Sequence, residues 1–453
     1  ATELERQKRE LLSSVDSSFR ERETTASSRF VGEYVRHYLE DEPIPGIEFE
    51  HQLYHRFVPG ITLDEVNRYA RSMLGEHSRT VLASAPGRGG PPVPAEEELA
   101  AAFATVEETD VEPYLDPDTD RPLLSDPPAG GAVIEETVAQ EPLLHRWILS
   151  NGAEVVLKPT DFKEDQVLLS SYSPGGHSLA PDELYVPAAT AADLVARSGV
   201  GEFTEIQLGK LLAGSTARVS PYISELYEGI RGSAAPRDLE TMFQLVYLYF
   251  TSPRLDRSSF NAYRRELWEE LAARDASPEA VFWDTVIATL NQGHHRARPW
   301  EVDMLDRMDP GASLAFYKDR FADAGDFTFF LVGSFTPREI RPLVERYLGG
   351  LPSTGREETW RDLGIDPPEG VVRETVRAGL EPKSRVQVVF NGELEWTHES
   401  VFLLSALADV LEFPLRDTLR EELGGTYSVS VFAAPSQYPD QEYRLYIGFG
   451  ASP

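Results

Sequence analysis

The sequence predicts an α+β protein made of several bodies, and three observations carry that reading. At 453 residues the chain is too long for one ordinary core, so two or three domains are expected. Strands announce themselves by turn chemistry, most clearly where two apolar runs flank Asn151-Gly152, while helices come in long stretches at 236–250, 256–274 and 278–291. Between the first helices and the rest lies a segment, 86–142, rich in Pro, Gly and acidic residues, which has the composition of a linker strap.

Element by element, residues 1 to about 40 read as helix, ended by "EPIPG" at 42–46. A second helix starts near "TLDEVNRYARSML", with Thr62 as N-cap and Glu65 three residues on. "RTVLASA" (79–85) reads as a buried strand, and one short helix is expected near 95–105 inside the strap. The body that begins at "HRWILSNGAEVVLKPT" opens with the Asn-Gly hairpin, and "DQVLLSSYSPGG" adds a strand. Helices follow at about 185–198 and 204–213, then "YISELYEGIRGSA" as strand. After the three long helices come a helix near 311–323, a buried strand at 326–335 and "TPREIRPLVERYLGGLP", a helix with Pro at its start and Gly at its end. From about 370, "GVVRETVRA" and "SRVQVVFNGEL" read as strands, then a helix with a kink or junction at Pro414, then "TYSVSVFAAP" and "EYRLYIGFG" as strands. The segments 1–85 and 309–351 both end as helix, apolar strand and Pro/Gly-marked exit, which hints at an internal repeat. Both ends of the sequence read as cut, so the chain is expected to be a piece of a longer one.

Composition excludes several function classes. A formal charge of −32 repels nucleic acid and anionic lipid. No apolar run reaches the length of about 18 residues that a membrane span needs. The absence of cysteine removes disulfides, thiolate metal sites and cysteine nucleophiles together.

Few residues are placed to do chemistry. His51 and His55, in "HQLYH", have the i, i+4 spacing of a shared metal site, but Gln52 and Tyr54 stand where a zinc protease needs its glutamate. They are expected to be two partly exposed helix histidines. The adjacent pair His294 and His295 is expected to be loop polarity, and no metal site is expected in this chain. No G-x-S-x-G, Walker or G-x-G-x-x-G pattern occurs. The stretch "LREELGGTYSVSV" (419–431) is different: Arg420 ends a helix, Gly424 and Gly425 allow a sharp exit, and Tyr427 begins a strand. Two such donors at one corner could hold a peptide carbonyl or a developing oxyanion. Equally, an arginine suits a helix C-terminus and a tyrosine suits a strand.

That stretch resembles the C-terminal domain of the pitrilysin/insulinase family of zinc metallopeptidases, of the bacterial two-half type. "LSNGAEVVLKP" resembles the hairpin opening each half of those proteins. "FYKDRFADAGDFTFFLVGSFTPREIRPLVERYLGGLP" and "EPIPGIEFEHQLYHRFVPGITLDEVNRYA" resemble further parts of the same plan. The resemblance implies a clamshell-type architecture of repeated domains, each an antiparallel-rich sheet covered by helices on one side. It divides the chain into the tail of a second domain (1–85), the strap (86–142), a degenerate peptidase-like third domain running into the next (143–368) and an incomplete fourth (369–453). It also implies that Arg420 and Tyr427 bind substrate near the scissile bond. The family's zinc motif, H-x-x-E-H, is missing, and "VPAATAADLVARSG" stands where its helix belongs. Hence the expected function is the non-catalytic C-terminal portion of a zinc-dependent endopeptidase, the substrate-binding wall of a closed peptide-degrading chamber. Zinc would sit in the parent protein, with none bound by this chain. The implied partners are a catalytic N-terminal half and a peptide or unfolded substrate, with no nucleic acid and no membrane span. The setting implied is periplasmic or extracytoplasmic. The alternative is a stand-alone inactive family member that serves as a binding or scaffold subunit for a separate catalytic partner.

Overall fold

The protein is described here from a computed structural model covering residues 2–73, 80–85, 92–109, 121–274, 277–380, 382–422 and 429–451. The N-terminal segment is helical: α1 (Thr2–Arg20), α2 (Ser27–Glu40), α3 (Ile47–Phe57) and α4 (Leu63–Met73). The single helix expected over 1–40 is broken after a 3-10 turn at Glu21–Glu23. The hydroxyls of Thr24 and Thr25 both donate to the Glu21 carbonyl, at 3.2 and 2.8 Å, which gives the backbone an alternative to the helical ladder. α4 starts as expected, the Thr62 amide donating to Glu65 (2.8 Å) and the Glu65 amide to the Thr62 hydroxyl (3.3 Å). α1 lies against the body that follows. Asp165, nearly buried, accepts from Ser17 (2.8 Å), Arg20 (2.9 Å) and Arg237 (3.1 Å).

The strand expected at 79–85 does not form in its described part, 80–85, which is irregular with Leu82 almost fully exposed. No described strand pairs with it, and an apolar run without a partner strand has nowhere to place its backbone hydrogen bonds. The strap carries α5 (Glu96–Glu108), and its last part, Val133–Gln140, is β1 of the next sheet.

That sheet also holds β2 (Leu143–Leu149), β3 (Glu154–Pro159) and β4 (Val167–Pro174). Beyond them come α6 (Tyr185–Ala189), α7 (Ala191–Ser198), α8 (Glu205–Leu211), β5 (Arg218–Ile223) and β6 (Tyr227–Ala234). The single strand expected at "YISELYEGIRGSA" is therefore a hairpin. It turns at Ser224, whose hydroxyl donates to the Tyr227 carbonyl at 2.8 Å and accepts from the Tyr227 amide at 3.2 Å. α9 (Leu239–Thr251), α10 (Arg257–Arg274), α11 (Pro278–Leu290), α12 (Pro310–Arg320), β7 (Thr328–Gly333) and α13 (Pro337–Leu343) follow. The strand order is β1-β2-β3-β7-β4-β6-β5, antiparallel except where β7 runs parallel to β3. The Asn-Gly hairpin is as read: Gly152 takes φ 90°, and Asn151 Nδ2 reaches the Leu348 and Leu351 carbonyls at 2.9 and 3.1 Å. The core between sheet and helices is dense, with Trp147, Leu157, Phe243, Tyr317, Phe329, Leu331 and Tyr347 fully buried.

The last body is smaller. β8 (Ser384–Glu393), α14 (His398–Arg416), β9 (Val429–Ser436) and β10 (Glu442–Ala451) form a three-stranded antiparallel sheet in the order β8-β10-β9 with α14 across one face. The strand expected at "GVVRETVRA" is instead irregular and largely exposed: among the described residues β8, the edge it could join, pairs with β10 alone.

Candidate functional site

The first place to look is the end of β4, where the family resemblance sets a ligand-bearing helix. Gly176, at φ 58°, lets the chain turn there; a Cβ would sit 2.3 Å from the Glu225 carbonyl oxygen. Its amide donates to Glu228 Oε2 at 2.5 Å. Glu228 is fully buried on β6, with Arg320 of α12 at 3.9 Å. Burial pushes the Glu228 carboxyl up to about 7, outweighing the Gly176 amide and the Arg320 charge. That guanidinium is shared with Asp319 and Glu358, which dilutes its hold on Glu228. Beside it, His177 is pushed down to about 4, first by burial and then by the Arg296 charge. Arg296 is itself buried, and donates to Asp182 and to the His177 and Ala180 carbonyls.

α6 and α7 then follow, and they offer methyl groups. Ala188 and Ala191 are fully buried, and Ala192 and Thr190 nearly so. The Thr190 hydroxyl is spent on the Val186 carbonyl at 2.9 Å. A helix whose inward face is alanine packs closely on a sheet but carries no metal ligand and no base. Glu228 has the shifted acidity common at catalytic sites, but with no solvent exposure it has no route to a substrate.

At the predicted substrate corner, α14 runs through Pro414 and passes into a π-type turn at Asp417–Glu422. Arg420 lies exposed in that turn, beside Leu419, which packs on the small core. Gly424, Gly425 and Tyr427 lie outside the described residues, and the chain resumes as β9 at Val429. The helix-to-strand order expected of "LREELGGTYSVSV" is thus present on both sides of the corner.

The histidines of "HQLYH" are, as expected, partly exposed on a helix, and they meet a carboxylate of another helix. His51 and His55 on α3 both direct Nε2 at Asp16 Oδ1 of α1, at 2.9 and 2.7 Å. Among the described residues, this is the group of His and carboxylate ligands close enough together to hold a metal. The spacing of the histidines was legible in the sequence; Asp16, 35 residues upstream, carried no signal. His294 and His295 form no such group, although His295 Nε2 lies 3.1 Å from Asp182. No helix among the described residues is long and apolar enough to cross a membrane.

Comparison with known proteins agrees with this architecture. A family model described as "Peptidase M16 inactive domain" matches residues 308–453. A curated relative from Arabidopsis thaliana, "Zinc protease PQQL-like", is 27% identical over 459 aligned residues, covering 98% of this chain and 45% of the relative. The crystal structure of the periplasmic protease PqqL from Escherichia coli superposes with a TM-score of 0.66 at 19% identity, over 100% of this chain and 50% of that one. A peptidase M16 inactive domain from Pseudomonas fluorescens gives a TM-score of 0.55 at 14% identity, over 68% of this chain and 74% of that one. The chain therefore spans about half the length of the Arabidopsis relative. Over residues 308–453 the chain is thus similar to the M16 inactive domain, and the curated relatives it resembles are named zinc proteases.

Proposed function

We propose that this chain is the non-catalytic C-terminal portion of a zinc-dependent endopeptidase and forms the substrate-binding wall of a closed chamber. The observation that carries the reading is the alanine face of α6 and α7, buried where a catalytic half would hold zinc ligands and a glutamate. Zinc, in the partner half, would supply an activated water and a polarised carbonyl. This chain's own part would be positional. Arg420 and Tyr427 would hold the peptide carbonyl as the two halves close. The relatives' names support the reaction class, and the location printed for the Escherichia coli protein supports an extracytoplasmic setting. Exposed apolar side chains on α2 (Tyr34, Tyr38, Leu39) and α14 (Phe402, Leu403, Phe413) support a further body packing on this one.

The test is Arg420→Ala in the complete two-half protein, with bound zinc and peptide cleavage measured together. Zinc content is expected to stay at the wild-type level while kcat/KM falls about a hundredfold. Unchanged cleavage removes Arg420 from the site, and lost zinc moves it to the metal's support.

A further inference from the structure

Outside the surfaces discussed so far, one cluster has the makings of a site. Asp16 sits on α1; His51 and His55 sit one turn apart on α3. Their three ligand atoms, Asp16 Oδ1, His51 Nε2 and His55 Nε2, all lie within 4.8 Å of one another. Both imidazoles converge on the same carboxylate oxygen rather than dividing between the two. His51 is held in place by stacking on Phe19, ring centres 4.4 Å apart and 24° from parallel. The His55 ring lies 4.5 Å from that of His51.

We propose that Asp16, His51 and His55 form a site for a borderline divalent transition cation, zinc foremost, that clamps α1 to α3. Two imidazole nitrogens and a carboxylate oxygen are the donor set such ions prefer over magnesium or calcium. In a tetrahedral site with metal–ligand bonds of about 2.0–2.2 Å, ligand atoms stand roughly 3.3 Å apart. The present group needs only small side-chain shifts to reach that spacing. Asp16 and His51 are half-buried and His55 is exposed, so water can complete the coordination. Without a metal, the Asp16 oxygen has to accept from two rings at once. With one, each donor directs a lone pair at the same ion. Gln52 stands where a zinc protease carries its general-base glutamate, so the role proposed is structural. α1 also carries Arg20 and Ser17, which grip Asp165 of the seven-stranded body, so a clamp at Asp16 would tie α3 to that body through α1. This site is independent of the substrate wall proposed above and of any zinc in a catalytic half.

The experiment uses the chain itself. After chelator treatment and desalting, it is titrated with zinc chloride, bound zinc is counted by elemental analysis, and Tm is followed. One tight equivalent and a raised Tm are expected. Affinity should fall at least tenfold in His51→Ala, in Asp16→Asn and in His55→Gln, the last at an exposed position where misfolding is not expected. His294→Ala should leave binding unchanged. Cobalt(II) should give the visible absorption of a four-coordinate site in the wild type and lose it in the same three variants. Failure to retain zinc overturns the proposal. So does binding that survives all three substitutions, which would mark an adventitious ion only.

Discussion

The seven-stranded body and the three-stranded body are built from the same parts but finish differently. In the first, helices cover the sheet so fully that Trp147, Leu157, Phe329 and Leu331 have no exposure. In the second, α14 turns Ala408, Leu411 and Leu415 toward β9 and β10, yet Phe402, Leu403, Leu407, Val410 and Phe413 stay exposed. The opposite face of its sheet leaves Phe432 half in water, stacked on Tyr446 at 4.5 Å, and on the helix side Phe390 of β8 is equally exposed. α14 is apolar over more of its circumference than three strands can cover. The larger body thus completes its own core, while the smaller one leaves a row of large apolar side chains of α14 exposed. The two differ most in how much lies over each strand, not in strand chemistry.

Matched truncations should break this comparison if it is wrong. Leu331→Ala in β7 is expected to cost about 4–5 kcal/mol, the upper end for leucine, because nothing nearby can relax into the gap. Leu445→Ala in β10 should cost about 2 kcal/mol, since the thinner layer can collapse onto it. Denaturant unfolding measures both, and equal losses would mean the two cores are equally complete.

A second contrast lies inside the larger body. Glu228 keeps its proton to about 7 when folded against an ordinary value of 4.5. The folded state then binds more protons, so its contribution weakens stability as pH rises from 4.5 to 7. His177 loses its proton near 4 instead of 6.5, so the unfolded state binds more protons and stability grows as pH rises from 4 to 6.5. The two slopes oppose each other across pH 4.5–6.5, each worth on the order of 3 kcal/mol over its full range. Glu228→Gln should therefore uncover a stability that rises with pH, and His177→Gln one that falls. If both variants tilt the pH profile the same way, the assigned burial of one group is wrong.

Phe402→Ser sharpens the comparison from the exposed side. In this chain it should change stability by less than about 0.5 kcal/mol. In the complete protein, where α14 is proposed to be covered, it should cost roughly 1.5–3 kcal/mol. The same small effect in both would leave that face uncovered. The smallest effect expected is one the two bodies share. Thr336 caps α13 and Thr397 caps α14 by the same reciprocal bonds, so Thr336→Ala and Thr397→Ala should each lower stability by about 1 kcal/mol. A large difference would show that tertiary context reaches even these caps.

The sequence by itself determined the α+β class, the Asn151-Gly152 hairpin, the cap at Thr62 and most helix spans, since each depends on residues a few positions apart. The family likeness was legible for the same reason, in short stretches whose spacing survives without a structure. Tertiary structure alone decided three matters. It decided that the apolar runs in 80–85 and 370–378 are not strands, because a strand exists only where a neighbour supplies its hydrogen bonds. It decided that the Glu228 carboxyl is pushed up to about 7, because burial is a property of everything packed around a side chain. And it brought Asp16 to His51 and His55, a meeting across two helices that no local spacing announces, because contacts between distant segments are settled by how those helices pack.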